Sequence, residues 1–129
     1  MSQNIAIGFT EGLPITAENS FQSFALPVPT PQPSEVVVQV DGVSVNPIDT
    51  KRRQAATRQA TPQVLGYDAV GTITRVGAQV AGYHVGDRVI YAGTTRKPGS
   101  NQQYQAVDAR LIALAPQQVP TADLAALPL

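Results

Sequence analysis

Hydrophobic positions along the chain alternate over short runs and rarely hold a helical period. Ile5, Ile7 and Phe9 alternate with Ala6 and Gly8 and predict a first strand, and residues 21–26 predict a second. Residues 28–33, with prolines at 29, 31 and 33, read as a stiff extended connector, because each proline fixes φ and removes a donor. The clearest strand signal lies in residues 35–45. Val36, Val38 and Val40 share one face, and beyond Asp41 and Gly42 the valines change phase to Val43 and Val45. A one-residue slip at a glycine predicts a β-bulge and a bent strand. Asn46 and Pro47 then open a short helix, with Asn46 suited to the N-cap, Pro47 to the first helical position and Asp49 to the first turn. Further strands are predicted at residues 69–76, interrupted by Gly71, and at 88–91, 103–107 and 111–114. A last helix is predicted to open at Thr121 as N-cap, running through Leu124 to Leu127.

About seven short strands with little helix predict a mainly β fold, a barrel or sandwich, with a short helix after the longest strand. The eleven prolines and ten glycines are spread along the chain, as turns between strands require and a helical bundle would not. At 129 residues the chain is predicted to form one domain, long enough to bury a core without a metal or disulfide staple.

Composition narrows the chemistry. Nine basic residues balance nine acidic ones, so no net field draws the chain to nucleic acid or an anionic membrane, and no apolar run is long enough to span a bilayer. With no cysteine, disulfides and thiol chemistry are excluded; this and the lack of a signal-like start fit a cytoplasmic protein. The single histidine, His84, lies in a turn-like stretch and reads as a surface residue. One histidine without cysteine is a poor source of zinc ligands. Neither GxGxxG nor GxxxxGK[ST] occurs, so no dinucleotide loop is predicted. Ser44 and Ser100 have only His84 as a possible base, and no spacing brings them together.

Two segments carry more. The first is Val43, Ser44, Val45, Asn46, Pro47, Ile48, Asp49, Thr50 and Lys51. The second begins Leu65, Gly66, Tyr67, Asp68, passes Gly71 and Gly77, and closes at Gly86, Asp87, Arg88 and Val89. Together they resemble the medium-chain dehydrogenase/reductase family, the second segment matching its glycine-rich signature. The Asn-Pro-Ile-Asp-Thr-Lys wording and the Tyr-Ala-Gly at 91–93 resemble its quinone-reductase and zinc-type alcohol dehydrogenase-like branch. The resemblance implies a GroES-like, partly open β-barrel with short helices over residues 1–129, forming the substrate-side domain. It also implies that the Rossmann nucleotide-binding domain is absent from this chain, whose Ala-Leu-Pro-Leu end resembles a cut before that domain. On that reading Leu124, Leu127 and Leu129 are expected to lack a partner.

The departures from the family pattern matter. Zinc-dependent relatives carry a cysteine where this chain has Asn46, and a Gly-His-Glu triplet where it has Gly66, Tyr67 and Asp68. The loop at 91–102 is also too short for the four-cysteine structural lobe. The resemblance therefore implies zinc-free hydride transfer from NADPH to a small quinone or carbonyl, in a full-length protein that forms a homodimer. It places Asn46, Lys51 and Tyr67 in the catalytic cleft. Asn46 would hold the nicotinamide amide or the substrate oxygen, Lys51 would supply charge, and Tyr67 a hydroxyl or stacking face. Asp49 and Tyr91 are weaker candidates for the pocket wall. Plainer roles stand beside these: Asn46 as a helix cap, Lys51 as a solvated helix residue, Tyr67 as a rim aromatic and Asp49 as a helix-start charge. The chain by itself is expected to be inactive, and a stand-alone GroES-like binding module without activity is the alternative.

Overall fold

A computed structural model describes residues 3–128. Strands β1 (Gln3–Gly8) and β2 (Gln22–Pro27) form an antiparallel hairpin, with Ile5 opposite Ala25 and Ile7 opposite Ser23. The remaining strands are β3 (Glu35–Val43), β4 (Asp68–Val76), β5 (Arg88–Ala92), β6 (Tyr104–Asp108) and β7 (Ile112–Leu114). They form one antiparallel sheet in the order β6-β3-β4-β5-β7. Helix α1 (Pro47–Ala55) lies between β3 and β4, and helix α2 (Thr121–Ala125) follows β7. The two sheets do not close into a barrel. They are joined by residues 101–103: the Ile7 N–H donates to the Asn101 carbonyl at 2.9 Å, Gln103 N–H to Ile5 at 3.0 Å, and Val40 N–H to Gln103 at 2.8 Å. This is the mainly β fold the pattern predicts, in the partly open form the resemblance implies.

The valine run of β3 builds the centre. Val36 and Val38 meet Ile73, Val89, Tyr91, Val107 and Ile112 in one buried cluster. Each fully buried aliphatic side chain there contributes about 1.5–3 kcal/mol relative to exposure. Val37, facing the other way, is buried as well, so the first half of β3 is covered on both sides. The register against β4 slips between Val40 and Gly42, leaving Asp41 out of the ladder. The predicted bulge is therefore present, and a second slip lies between Val37 and Val38. Gly71 sits opposite this bend: a Cβ there would run into the Gln39 carbonyl and the Val38 side chain. The crossing of β3 and β4 thus requires a residue without a side chain.

The final helix differs from its prediction in two ways. Pro120, not Thr121, occupies the N-cap position. Thr121 is the first helical residue, and its hydroxyl accepts from Arg88 Nη2 at 3.0 Å. Arg88 also donates to the carbonyls of Pro116 and Val119, each at 2.9 Å, which folds the connection back onto β5. As a result Leu124 is buried, 2% exposed, against Val70, Ala115 and Ala125. It has partners within this chain, contrary to expectation. Leu127 is 67% exposed, as expected, and Leu129 lies outside the described residues. Among the described residues no helix is long and apolar enough to cross a membrane.

Candidate functional site

The bend in β3 delivers the chain to α1 at Asn46, whose backbone is extended (φ −123°, ψ 162°). Pro47 opens the helix, and the Asp49 carboxylate reaches back so that its Oδ2 accepts the Asn46 N–H at 2.9 Å. The other oxygen of Asp49 accepts the Gly66 N–H at 2.9 Å. One buried carboxylate therefore closes the first turn of α1 and ties it to the second signature segment. Gly66 has φ +109°, in the region that favours glycine, and a Cβ there would meet Ser100 and Asn101.

The next two residues along belong to the candidate site. Tyr67 is 5% exposed, and its hydroxyl accepts from Arg52 Nη1 of α1 at 2.9 Å. Asp68, 1% exposed, begins β4. Its Oδ2 accepts two bonds, from Ser44 Oγ at 2.5 Å and from Asn46 Nδ2 at 3.1 Å. Its Oδ1 is buried with no hydrogen-bond partner. The Asp68 carbonyl accepts from the Ser100 hydroxyl at 3.0 Å, which pins the backbone beneath it. Two segments some twenty residues apart thus converge, Asn46 on Asp68 and α1 on Tyr67.

The candidates drawn from the sequence fall out as follows. Asn46 and the 67–68 segment are brought together through Asp68. Lys51 lies on α1 beside Arg52, exposed and without a hydrogen-bond or ion-pair partner among the described residues. Asp49 lines a cavity of about 400 Å³ next to α1, together with Ile15, Phe21, Val45, Thr50 and Leu65. Each of its oxygens already holds a backbone N–H. Arg53, on the same side of the helix, donates to the Leu13 carbonyl at 2.5 Å and stands over the Phe21 ring, 5.5 Å from its centroid.

Tyr91 is not in a pocket wall. The alternation of β5 turns Val89 and Tyr91 inward together, and the Tyr91 side chain lies in the central core, 2% exposed. Its hydroxyl donates to Gln105 Oε1 at 2.6 Å, and burial pushes its pKa well above the ordinary tyrosine value. His84 is a surface residue, 3.8 Å from Asp87.

Sequence reasoning missed Ser44, Arg52 and Asp68. By sequence Ser44 reads only as a nucleophile without a base, and the Gly-Tyr-Asp triplet departs from the zinc-dependent pattern most visibly at its tyrosine. The available signal was an acidic residue directly before the apolar β4 run of Ala69 and Val70, a position that buries whatever stands there. Among the described residues no group of three or more His, Cys, Asp or Glu side chains is placed to hold a metal.

Known proteins share this fold. Residues 32–117 match the alcohol dehydrogenase GroES-like domain family. A zinc-type alcohol dehydrogenase-like protein of Staphylococcus epidermidis is 40% identical over 124 residues, covering 96% of this chain and 37% of that protein. A Rhizobium etli protein, provisionally described as a zinc-dependent alcohol dehydrogenase, superposes with a TM-score of 0.93 at 38% identity, over 99% of this chain and 37% of that one. The quinone oxidoreductase of Coxiella burnetii shares the fold, with a TM-score of 0.87 at 23% identity over 98% of this chain and 41% of its own. The chain thus spans well under half of the relatives it matches. With the GroES-like match over most of its length and two relatives near 40% identity, it belongs to the medium-chain dehydrogenase/reductase family, among its zinc-type alcohol dehydrogenase-like members.

Proposed function

We propose that this chain is the substrate-side domain of an NADPH-dependent oxidoreductase that reduces quinones or activated carbonyls by hydride transfer without zinc. The observation that carries this reading is the convergence of residues 44–52 with residues 66–68, through the bonds from Asn46 to Asp68 and from Arg52 to Tyr67.

The residues present do not fit a catalytic zinc. Position 46 offers a neutral amide already turned to a carboxylate, and position 67 a phenol facing a guanidinium. Asp68 is the only carboxylate at the site with an unbonded oxygen. Zinc sites of this kind use three protein ligands drawn from Cys, His and carboxylate. No step is routed through a metal. Nor does this chain contain a dinucleotide loop, so the nicotinamide nucleotide would be held by the part of the relatives that it does not span. When bound, that nucleotide supplies the hydride.

A carbonyl or quinone taking up hydride develops negative charge on oxygen, and donors placed at that oxygen lower the barrier. Tyr67 is suited to this. Its oxygen accepts from Arg52, which leaves its own proton free to donate, while the guanidinium adds positive charge behind the phenol. On this reading Lys51, exposed on the same helix as Arg52, supplies a second cation. Asn46 holds the nicotinamide amide or the substrate oxygen.

NADPH oxidation with a simple quinone tests this, using protein expressed from its complete reading frame and dialysed against a chelator. Turnover with less than stoichiometric metal is the expected result. Loss of turnover on chelation, with about one zinc per chain beforehand, would overturn the zinc-free assignment. Absence of turnover with quinones and carbonyls alike would leave the second reading, a GroES-like binding module without activity. The packing of Leu124 within this chain favours that reading to the extent that α2 needs no further partner. Residues 1–129 alone are expected to show neither turnover nor micromolar NADPH binding.

A further inference from the structure

We propose that Asp68 is a positioning residue. With Ser44 and Asp49 it holds the Asn46 amide in a single orientation toward the group that Asn46 engages. The inference rests on the reading of Asn46 given above and assigns a role to a carboxylate which that reading does not use.

An asparagine side chain is nearly symmetric in shape but not in chemistry, since its two flips exchange an acceptor for a donor at each end. Only its neighbours choose between them. Asp68 chooses here, because its Oδ2 accepts from Asn46 Nδ2, and the capping box with the Asp49 backbone supports the same orientation. With Nδ2 3.1 Å from Asp68 Oδ2 the pair is a charge-assisted hydrogen bond, whereas the opposite flip would set two acceptors against each other. Ser44 donates to the same oxygen at 2.5 Å and so fixes the carboxylate's own rotation. Asp49 fixes the Asn46 backbone through the N–H at 2.9 Å, and its other oxygen holds Gly66, two residues before Asp68. Asn46 is therefore constrained at main chain and side chain by two buried carboxylates, one from the first turn of α1 and one from the start of β4. The Asp68 backbone cannot drift, being paired with Ala92 of β5 and bonded to the Ser100 hydroxyl.

Stability alone does not account for this arrangement. A buried carboxylate is costly unless its oxygens are satisfied, and Asp68 Oδ1 has no partner. An asparagine at position 68 would still accept from Ser44 and from Asn46 through its carbonyl, without burying a charge. What it would lose is the certainty of orientation, since both amides could flip together. The carboxylate thus contributes definition of the Asn46 donor rather than cohesion of the fold.

The test uses the protein from its complete reading frame. A ¹⁵N correlation spectrum reports the Asn46 side-chain amide pair, and steady-state turnover with NADPH and a quinone reports function. Asp68→Asn is expected to shift or broaden the Asn46 amide pair and to lower kcat about tenfold or more, with the unfolding midpoint nearly unchanged. Asn46→Asp alone sets two carboxylates together and should lower stability. Adding Asp68→Asn to it should restore stability, by a bond of reversed polarity, without restoring kcat. An unshifted amide pair with unchanged kcat in a folded Asp68→Asn would overturn the proposal. If Asp68→Asn does not fold, Ser44→Ala takes its place, with a shifted Asn46 amide and reduced kcat expected and wild-type values for both overturning the proposal. Full activity in Asn46→Ala would instead remove the reading of Asn46 itself. An inactive Asn46→Ala beside a fully active Asp68→Asn would remove only the positioning role.

Discussion

Tyr91 and Gln105 are joined across the core of the sheet by a 2.6 Å hydrogen bond, strand β5 to strand β6, although β5 and β6 are not neighbours in the sheet. The phenol is buried and its pKa is raised by desolvation, so the folded protein keeps this proton at pH values where the unfolded chain has lost it. The resulting stability is fully present below the unfolded value of 10.0 and is lost progressively as pH rises above it. Tyr91→Phe should cost about 1–3 kcal/mol near neutrality, because Gln105 Oε1 loses its donor. It should also flatten the fall in stability above pH 10. Urea titrations at neutral and alkaline pH in both proteins check this; an alkaline limb as steep in Tyr91→Phe as in wild type would contradict it.

The packing of α2 gives a second expectation. Leu124 is enclosed by Val70, Ala115 and Ala125, while Leu127, three residues on, faces solvent. Leu124→Ala should lower unfolding stability by about 2–4 kcal/mol, and Leu127→Ala by less than about 0.5 kcal/mol. Equal effects would mean that α2 does not sit on the sheet as described. Denaturant melts of the two variants decide between these outcomes.

Much of the fold was legible because strand alternation and turn chemistry act locally. The phase slip at Gly42 is visible in the valine spacing, and the ladder slips there. The start of α1 at Pro47 likewise follows from Asn46, Pro47 and Asp49 alone. Thr121 shows the limit. Its residue type suits an N-cap, but Arg88 from a strand more than thirty residues earlier takes its hydroxyl into a tertiary bond. Tyr91 shows the same limit for the site. Alternation predicts that one face of β5 is buried, yet which face meets the core is set by pairing with β4 and β7, not by β5 itself. The burial of Asp68 had a local signal, but its contacts did not: Ser44 and Asn46 lie across the β3–β4 crossing, and no local pattern announces a contact of that separation.

The turn after β6 carries a separate acid-side expectation. Asp108 accepts from the Arg110 N–H at 2.9 Å and pairs with its guanidinium at 2.7 Å, and these bonds lower the Asp108 pKa from 3.8 to about 2. A carboxylate whose pKa is depressed on folding adds stability above its unfolded value, and that contribution is lost as pH falls from 3.8 toward 2. The pair is at the surface, so salt should weaken the effect. A carboxyl NMR titration should place Asp108 near the depressed value, with Arg110→Ala moving it back toward the ordinary aspartate range. An unchanged Asp108 titration in Arg110→Ala would show that other neighbours set it.

The remaining expectation concerns how α1 and the 67–68 segment divide the chemistry. Tyr67 accepts from Arg52 and keeps its own proton, so Tyr67→Phe removes a donor while leaving the ring and most of its packing in place. If that proton serves the oxygen that becomes negative, the loss belongs to the transition state: kcat and kcat/KM should fall together by about 10²-fold, with KM little changed. Lys51 stands apart, exposed on the same helix as Arg52 and without a hydrogen-bond or ion-pair partner among the described residues. Its charge acts through solvent, so Lys51→Met should lower kcat/KM only several-fold, and the difference from wild type should shrink as salt is raised. Arg52→Gln lies between the two, because it removes positive charge from behind the phenol but not the proton in front of it. Steady-state kinetics of the three variants with NADPH and a quinone, at two ionic strengths, separate these roles. Tyr67→Phe with wild-type kcat would return the phenol to a packing role, and a larger loss in Lys51→Met than in Tyr67→Phe would move the oxyanion donor from the segment before β4 to α1.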